Sequence, residues 1–445
     1  MKIALINPPP LSIRSLGPRM FSFPLGLGYI AAYAGRAGHS VKMFDPEPSR
    51  TPLEAMWKEI SEFGPDIVGI TSVTPNFASA RQLVIEAKKR LSCLVIMGGP
   101  HVTALPRSTL LSIPADAVIL GEGEIPMLAI ATEFDASGKV DFNKVPGAAF
   151  IENGEYKETI RPEPISDLDR LPYPARELLN VHLYHLYRNS ASILSSRGCP
   201  SQCTFCANIC MGRKFRAHSP EYFVGEMIYL IKKYGIRHFR IVDDCFTADP
   251  GRVSEICDLI LSKRMNITWD ALGRVSTLRD EAVIAKMKRA GCIYMSLGIE
   301  TGSQHINNLM KKGTTLEMAE ECCALLRKHR IPYVNTFIIG NEGDTEETVA
   351  ATIAFAKKLR SAIAMFGIMM PLPGTALFTK YYKDYDSPDT DWTNWCAQGP
   401  DQPYEPRQTE LTKKDVIRLR SAANRRFYSN PFQILRTVLY ALSLP

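Results

Sequence analysis

The first 125 residues of the chain alternate between short apolar runs rich in β-branched side chains and longer segments with helical spacing of apolar positions. The short runs are KIALIN, VKMFD, DIVGITS, CLVIMGG and DAVILGEGE, and helical segments such as 77–91 lie between them. Strands and helices that alternate at this spacing form a parallel sheet covered by helices. We therefore predict a doubly wound α/β fold for this part of the chain.

A second series of apolar runs begins near residue 191. The runs are ASILSSRGC, HFRIVDD, NITWDAL, YMSLGIE, YVNTFIIG and AMFGIMMP, and helix-like segments separate them. Six such repeats predict a partial, TIM-like (β/α)6 barrel. Between the two series lies the Pro-rich and acidic stretch RPEPISDLDRLPYPARELL, whose prolines disfavour long helices and central strands.

These patterns divide the chain into four predicted segments. They are a Rossmann-like α/β domain at 1–140, a connector at 141–190, the barrel at 191–375 and a helical C-terminal extension at 376–445. The extension contains YYKDYDSPDTDWTNWC and shows no core pattern of its own. Its tail, from residue 425, mixes arginines with apolar side chains in the manner of an interfacial amphipathic helix. The alternative is a helix that packs on its own protein.

Composition and charge narrow the class of protein. The chain has 445 residues, 45% of them hydrophobic, which is enough to bury sizeable cores. We find neither a secretory signal pattern nor a run of about eighteen apolar residues, so we expect a cytoplasmic enzyme. The net charge is +7, and residues 411–445 contribute most of it, with seven Lys or Arg against Asp415. The rest of the chain is nearly neutral, which argues against nucleic acid as a substrate.

Three of the eleven cysteines form a C-x3-C-x2-C group, Cys199, Cys203 and Cys206, on the loop that leaves the first barrel strand. Three thiolates can hold three irons of a [4Fe–4S] cluster and leave the fourth iron open to a substrate. Two alternatives are a four-cysteine electron-transfer cluster that includes Cys210 and a structural zinc site, although neither has its usual spacing here. The other cysteines are expected to act as small hydrophobes: Cys93, Cys245, Cys257, Cys292, Cys322, Cys323 and Cys396.

The sequence RGCPSQCTFC, with Phe205 before the last cysteine, resembles the signature of the radical SAM superfamily, and the similarity extends over most of residues 190–375. The resemblance implies that Cys199, Cys203 and Cys206 bind a [4Fe–4S] cluster whose open iron chelates S-adenosylmethionine. It also implies reductive cleavage to a 5′-deoxyadenosyl radical, which abstracts a hydrogen atom from unactivated carbon.

Further motifs follow the later barrel strands, namely VDDCFT, GRV, LGIETGSQ, FIIGNEGDT and MPLPGT. Polar side chains at such strand ends suit the ribose, amino and carboxylate groups of the cosubstrate, or they cap loops and form ion pairs. By resemblance, the residues that bind S-adenosylmethionine are Phe205, Asp243, Asp244, Arg274, Gly298 and Glu300. The family usually reads GxPGET where this chain has GNEGDT at 340–345, so we assign that loop no contact.

Three strand ends of the amino-terminal sheet are rich in small or polar residues, and ligands of such sheets bind outside the carboxyl ends of the strands. From spacing alone, a cofactor site and an ordinary Gly-rich strand end remain equal alternatives. Residues 1–140 resemble the cobalamin-binding domain that precedes the barrel in one class of radical SAM enzymes. By that resemblance, the cobalamin-binding residues are Thr71, Ser72, Thr74, Gly98, Gly99, Gly121, Glu122 and Gly123.

The mode of cobalamin binding follows from a missing motif. No D-x-H-x-x-G occurs, so the resemblance implies base-off cobalamin without a histidine from that motif, and His101 is the alternative cobalt ligand. Related methylthiotransferases carry three cluster cysteines in their amino-terminal domain, whereas residues 1–140 here contain Cys93 alone. A tRNA-modifying methylthiotransferase is therefore disfavoured.

Three functions remain open. The first is a methyltransferase at unactivated carbon, and the second is an oxidative cyclase similar to the anaerobic magnesium-protoporphyrin monomethyl ester cyclase, without methyl transfer. The third is a non-catalytic sensor of cobalamin or of the cluster. The implied partners are a small-molecule or lipid-like substrate, reduced flavodoxin or ferredoxin as electron donor, and a membrane surface contacted by the tail. No catalytic acid or base is assigned.

Overall fold

The computed structural model describes residues 1–9, 21–184, 189–393, 395–396 and 403–442. Parts of three predicted segments lie outside the described residues. They are 10–20 of the α/β domain, 185–188 of the connector, and 394, 397–402 and 443–445 of the C-terminal extension.

Fifteen strands and sixteen α-helices occur in the described ranges. The strands are β1 Lys2–Ile6, β2 Ser40–Phe44, β3 Ile67–Thr71, β4 Leu94–Gly98, β5 Ala117–Ile119, β6 Ala148–Glu152, β7 Glu155–Glu158, β8 Ser190–Ile193, β9 Ser196–Arg197, β10 Arg216–Ala217, β11 His238–Ile241, β12 Thr268–Gly273, β13 Cys292–Glu300, β14 Tyr333–Ile339 and β15 Ile363–Ile368. The helices are α1 Leu25–Arg36, α2 Pro46–Ser49, α3 Leu53–Phe63, α4 Phe77–Arg90, α5 Pro100–Ala104, α6 Pro106–Ser112, α7 Glu124–Ser137, α8 Pro220–Tyr234, α9 Pro250–Ser262, α10 Glu281–Arg289, α11 Gln304–Leu309, α12 Leu316–Lys328, α13 Glu346–Leu359, α14 Ala376–Tyr381, α15 Lys413–Tyr428 and α16 Pro431–Leu442.

The chain forms two compact units, and neither is continuous in sequence. The amino-terminal unit comprises Met1–Tyr184, Ala207–Met211 and Leu372–Gly399. The barrel unit comprises His185–Cys206, Gly212–Pro371 and Pro400–Pro445.

The sheet of the amino-terminal unit has seven strands in the order β2-β1-β3-β4-β5-β6-β7. The first five are parallel, because runs such as KIALI and IVGIT can bury apolar side chains on both faces of a sheet. Ile3 and Ile67 of the sheet share one core with Leu27 of α1 and Ile130 of α7. The predicted doubly wound α/β fold is thus confirmed.

Strands β6 and β7 form an antiparallel hairpin at the edge of this sheet. Its turn residues, Asn153 and Gly154, have φ of 52° and 83°, and Asn-Gly is favoured in tight hairpin turns with two positive φ values. The hairpin lies in the range that we interpreted as a connector, 141–190, and the prolines that suggested a connector begin only after β7, at Pro162.

The barrel unit contains six parallel strands in the order β15-β14-β13-β12-β11-β8. They are the six strands that the sequence pattern predicts, and the partial barrel is confirmed. Because the strands are parallel, their carboxyl ends share one rim, where the loops after β8, β11, β12 and β13 meet. The short strands β9 and β10 pair antiparallel beside the first of these loops.

The loop GNEGDT is a structural junction of the barrel unit. The buried Asp344 carboxylate accepts the N–H groups of Gly340 (3.0 Å) and Asn341 (2.9 Å), and the Gln408 side chain donates to the Gly340 carbonyl (2.6 Å). The loop therefore connects the start of α13 to the C-terminal extension.

The helices α15 and α16 share the core of the barrel unit. Helix α15 packs against β15 and buries Val416, Leu419, Ala423 and Phe427. Helix α16 turns its polar side chains inward instead: Gln433 donates to the Ser361 carbonyl (3.0 Å), and Thr437 donates to the Ala362 carbonyl (2.8 Å). Among the described helices, none is both long enough and apolar enough to cross a bilayer.

Candidate functional site

The three predicted cluster cysteines lie on one short loop that follows β9. At Gly198 the backbone has φ of 84°, and a Cβ atom there would lie 2.3 Å from the Lys214 carbonyl oxygen. Only glycine fits this turn without strain, and it directs the chain into Cys199. Farther along, the Thr204 N–H donates to the Met310 carbonyl (3.0 Å), which anchors the loop to the end of α11.

The electrostatic surroundings of Cys199 favour its thiolate. The hydrogen bond from the Cys245 thiol lowers the pKa of Cys199 to about 5, with smaller contributions from hydrogen bonds of Ser201 and the charge of Arg274. The same bond to Cys199, together with burial, raises the pKa of Cys245. Arg274 also places Nη1 3.7 Å from Sγ of Cys203. The nucleophilic, metal-binding form of a cysteine is the thiolate, so these contacts suit ligation.

A cavity of about 590 Å³ opens beside the loop at the rim of the barrel. Its lining comes from the cysteine loop and from the loops after β11, β12 and α11, and comprises Pro200, Ser201, Gln202, Cys245, Ala248, Arg274, Ser276, Thr277, Asn308, Lys311, Lys312 and Gly313. Small-molecule sites usually have volumes of roughly 300–1,000 Å³. The cavity therefore has the size for a nucleoside-containing cosubstrate.

A buried ion pair lies beside this cavity. The Lys312 ammonium is 3.1 Å from Oε1 of Glu300, and both side chains are buried. A Cβ atom on Gly298 would lie 2.3 Å from the same carboxylate oxygen, so glycine makes room for the pair. The Lys312 ammonium also lies 5.9 Å from the centre of the Phe205 ring. The backbone carbonyl of Lys312 accepts a hydrogen bond from Arg274. The structure thus brings four predicted residues together around Lys312, which sequence reasoning missed.

The two aspartates after β11 differ in their surroundings. Asp243 is buried, and its carboxylate accepts the N–H of Ser195 (2.6 Å) and the hydroxyls of Ser195 and Ser196 (2.5 Å each). Burial raises the pKa of Asp243, and these hydrogen bonds and the charge of Arg252 oppose the rise. Asp244 is exposed and accepts a hydrogen bond from the Gly198 N–H. The hydrogen bonds of the Asp243 carboxylate are therefore made to the loop after β8.

The donor set of the loop fits an iron–sulfur cluster. Within the described ranges, no three His, Cys, Asp or Glu side chains converge on a point where one metal ion would bind. A [4Fe–4S] cube instead meets three thiolates at three separate irons, as three cysteines of one loop can supply. Cys210, the fourth cysteine of the electron-transfer alternative, belongs to the amino-terminal unit, where its thiol donates to Thr103 (3.4 Å).

The second predicted site lies in the amino-terminal unit, where β3, β4 and β5 are neighbours and their carboxyl ends form one edge. A Cβ atom on Gly99 would lie 2.6 Å from the Ser72 carbonyl oxygen, whereas one on Gly98 would meet nothing closer than 3.9 Å. Gly99 therefore allows two strand ends to pack, and Gly98 leaves open space. A Cβ atom on Gly123 would lie 2.6 Å from Ile30, so this glycine serves the contact of α7 with α1. The edge retains an open stretch that a planar ligand can approach.

His101 lies behind this edge in an aromatic setting. Its ring stacks on Phe77 at 4.0 Å and meets the edge of Trp392 at 5.0 Å, and Nδ1 is 3.1 Å from the Thr74 hydroxyl. Burial lowers the pKa of His101 to about 3. A neutral, enclosed imidazole of this kind contributes to the packing of the amino-terminal unit.

Comparison with known proteins places both units in recognised families. Residues 193–356 match the radical SAM superfamily, and residues 19–131 match the B12-binding domain. An uncharacterized methyltransferase of Pyrococcus horikoshii is 32% identical over 98% of this chain and 95% of its own length. The anaerobic magnesium-protoporphyrin IX monomethyl ester cyclase of Rubrivivax gelatinosus is 30% identical over 80% of this chain, which spans 65% of the cyclase. Among solved structures, the radical S-adenosylmethionine methyltransferase TsrM of Kitasatospora setae has a TM-score of 0.72 at 18% identity, over 86% of this chain and 75% of that one.

Proposed function

Because the chain belongs to the radical SAM superfamily, in the branch that carries a B12-binding domain, we propose that it transfers a methyl group to a carbon atom of a small-molecule substrate. Its cofactors are a [4Fe–4S] cluster, S-adenosylmethionine and cobalamin, which when bound supply radical hydrogen abstraction and a transferable methyl group. We propose the sequence-based domain limits, 1–140 for cobalamin and 191–375 for the cluster, as the working division of these tasks.

The observation that carries the proposal is the three-cysteine loop at the mouth of the cavity of about 590 Å³. In the proposal, Cys199, Cys203 and Cys206 hold the cluster. Arg274 presents positive charge to the carboxylate of S-adenosylmethionine, because cations that line a cavity bind carboxylates through charge-assisted hydrogen bonds. Lys312 lines the same cavity while its ammonium pairs with Glu300. The carboxyl edge of β3, β4 and β5 receives cobalamin through the open stretch at Gly98 and Gly121.

The choice of methyl transfer over cyclisation rests on the extent of the similarity. The chain spans 95% of the Pyrococcus methyltransferase and 65% of the cyclase. About a third of the cyclase therefore has no counterpart in this chain, whereas almost the whole length of the methyltransferase does. The cyclase remains the second candidate, supported by 30% identity over 80% of the chain.

The test is anaerobic reconstitution with iron, sulfide and hydroxocobalamin, followed by reductant and S-adenosylmethionine. We expect 5′-deoxyadenosine and S-adenosylhomocysteine together, since S-adenosylhomocysteine forms when S-adenosylmethionine donates a methyl group. Replacing Cys203 by Ala should abolish 5′-deoxyadenosine and the cluster absorption while corrinoid stays bound. The matched control is Cys93→Ala, a cysteine of the other unit, which should retain both products.

Two outcomes would count against the proposal. 5′-Deoxyadenosine without S-adenosylhomocysteine would favour the cyclase type of reaction. Retention of corrinoid with no cleavage of S-adenosylmethionine in any condition would favour a sensor.

The proposal includes an electron donor. Reduction of the cluster requires one electron at low potential, and reduced flavodoxin or ferredoxin supplies such electrons. Replacing dithionite by reduced flavodoxin in the same assay should sustain 5′-deoxyadenosine formation, and failure with both flavodoxin and ferredoxin would reject this part.

The proposal also includes contact of α16 with a membrane surface. Six apolar side chains of this helix are exposed, with Phe432 at 76% and Leu442 at 78%, while polar side chains face the protein. Exposure of this apolar face to water is unfavourable, whereas its burial at the boundary of a bilayer is favourable. The double variant Leu435→Gln/Leu439→Gln should lose co-sedimentation with vesicles, and unchanged co-sedimentation would reject the contact.

A further inference from the structure

A second cavity of the barrel unit, of about 320 Å³, lies at the start of α16. Its lining joins the end of α13 to the turn between α15 and α16 and comprises Lys357, Arg360, Phe427, Asn430, Phe432, Gln433 and Arg436. Three of these seven residues are cations and none is an acid. The cavity is separate from the residues that line the cysteine-loop cavity and takes no part in the function proposed for them.

Among the described residues, the cations of this cavity have no carboxylate partner. Within the described part of the chain, no Asp or Glu oxygen lies within 4 Å of Lys357, Arg360 or Arg436, although the neighbouring Lys358 pairs with Glu320. The Lys357 and Arg360 side chains are exposed and make no hydrogen bond there. Uncompensated cations that converge on one cavity attract an anion.

Arg436 shows the repulsion within the group most directly. Its guanidinium donates Nη1 to the Gln433 side-chain oxygen at 2.7 Å, which leaves most of its five N–H donors for another acceptor. Burial, followed by the charges of Arg360 and Arg327, lowers the pKa of Arg436. Arginine stays protonated regardless, so a bound anion would relieve this repulsion.

The position of the cavity indicates where such an anion comes from. Phe432 lines the cavity and also begins the exposed apolar face of α16, which continues through Leu435, Leu439 and Leu442. A helix with this face against acyl chains would hold the cavity at the level of lipid phosphates. We propose that the cavity formed by Lys357, Arg360 and Arg436 binds the phosphate of an anionic phospholipid headgroup.

This inference rests on the proposed membrane contact of α16 and deepens it, so the experiment separates the two. Vesicles of phosphatidylcholine, with and without phosphatidylglycerol, are co-sedimented with the full-length protein at low and moderate salt. The test variant is Lys357→Gln/Arg360→Gln, whose side chains are exposed and make no described hydrogen bond. The matched control, Lys288→Gln/Arg289→Gln, removes one exposed lysine and one exposed arginine from α10.

We expect wild-type protein to bind phosphatidylglycerol vesicles. The cavity variant should bind them about 25-fold more weakly, at roughly fivefold for each of its two basic side chains. The control should bind like wild type, and glycerol 1-phosphate at millimolar concentration should compete with the vesicles. Arg436→Gln, which removes one basic side chain, should weaken binding about fivefold, and its melting temperature is measured to detect any loosening of α16.

The other outcomes are decisive as well. Equal binding by the cavity variant and the control overturns the headgroup site and leaves the apolar contact of α16 standing. Binding of glycerol 1-phosphate or inorganic phosphate in a thermal-shift assay, without vesicle binding, supports the phosphate site and overturns its lipid source. No binding of vesicles or phosphate by wild type overturns both the site and the membrane contact.

Discussion

Replacing Asp243 separates two roles for this residue, a ligand of S-adenosylmethionine and a fastener of the loop after β8. The carboxylate accepts three hydrogen bonds, from the Ser195 N–H and from the hydroxyls of Ser195 and Ser196, at 2.5–2.6 Å. Arg252, also buried, donates to the Ser195 carbonyl at 2.9 Å and lies near enough for its charge to stabilise the carboxylate. Alanine would leave these three donors without their acceptor in the interior and would remove the negative charge near Arg252.

The magnitude follows from the groups left behind. Each buried donor that loses its acceptor costs about 1–3 kcal/mol, and three donors lose one here. Because Ser195 and Ser196 can rotate toward other acceptors, we expect Asp243→Ala to lower the free energy of unfolding by about 4 kcal/mol. Asp243→Asn keeps the shape and one acceptor, so we expect a loss of about 2 kcal/mol.

The assay is thermal unfolding of the protein without added cosubstrate, followed by circular dichroism. For a unit of this size, about 4 kcal/mol corresponds to a fall in melting temperature of roughly 8–16 °C. Asp244→Asn is the matched control: its side chain is exposed, and the amide oxygen of asparagine can still accept the Gly198 N–H, so we expect a change within about 3 °C. An unchanged melting temperature for Asp243→Asn, with loss of S-adenosylmethionine binding in equilibrium dialysis, would refute the fastening role and restore the ligand.

Three further changes test other parts of the molecule. Because burial holds the pKa of His101 near 3, against about 6.5 when unfolded, wild type should lose stability as pH falls through this window, by up to about 1.4 kcal/mol per pH unit. The destabilisation caused by His101→Gln should therefore shrink by about 2 kcal/mol between pH 7 and pH 5 in urea titrations, and a constant difference would contradict this. Gly99→Ala should cost about 3 kcal/mol, since its Cβ would strike the Ser72 backbone at φ of 101°, whereas Gly98→Ala should keep the melting temperature and reduce retained corrinoid. Arg274→Lys keeps the charge but not the fork of donors, and we expect S-adenosylmethionine to bind about tenfold more weakly in equilibrium dialysis, with wild-type affinity as the contradicting result.

Periodicity predicted the parallel strands of both sheets, because parallel strands in such folds are continuous apolar runs bounded by turns. The sequence analysis did not predict the hairpin of β6 and β7, although Asn153-Gly154 is a strong turn signal. The reason is that the prolines at 162 and 164 led us to interpret the whole segment as a connector. The resemblance to radical SAM enzymes and the class of function were confirmed at the level of the family, and the methyltransferase relative supports the first of the three functions.

The sequence predicted less well which residues line the site and which contacts they make. Cys245 follows an apolar strand, which led us to expect a small hydrophobe, yet it lines the cavity and bonds to Cys199. Lys312 stands in a polar turn with no motif, and only folding pairs it with Glu300. Asp243 and Asp244 are adjacent in sequence, and the pattern could not tell that one is enclosed and the other exposed. Such assignments depend on which loops converge at the rim, and periodicity along one strand carries no information about that.

The discontinuity of the amino-terminal unit bears on how the protein is made. Residues 207–211 and 372–399 complete a unit that otherwise ends at residue 184, and Trp392 is an aromatic neighbour of His101. A ribosome delivers the second of these pieces, residues 372–399, only after it has translated all six barrel strands. The amino-terminal unit therefore starts to be synthesised first but is completed late. Part of its interior stays exposed until residues 372–399 have been translated. A gene fragment that stops at the apparent end of the first domain would encode an unfinished core rather than a portable cobalamin module.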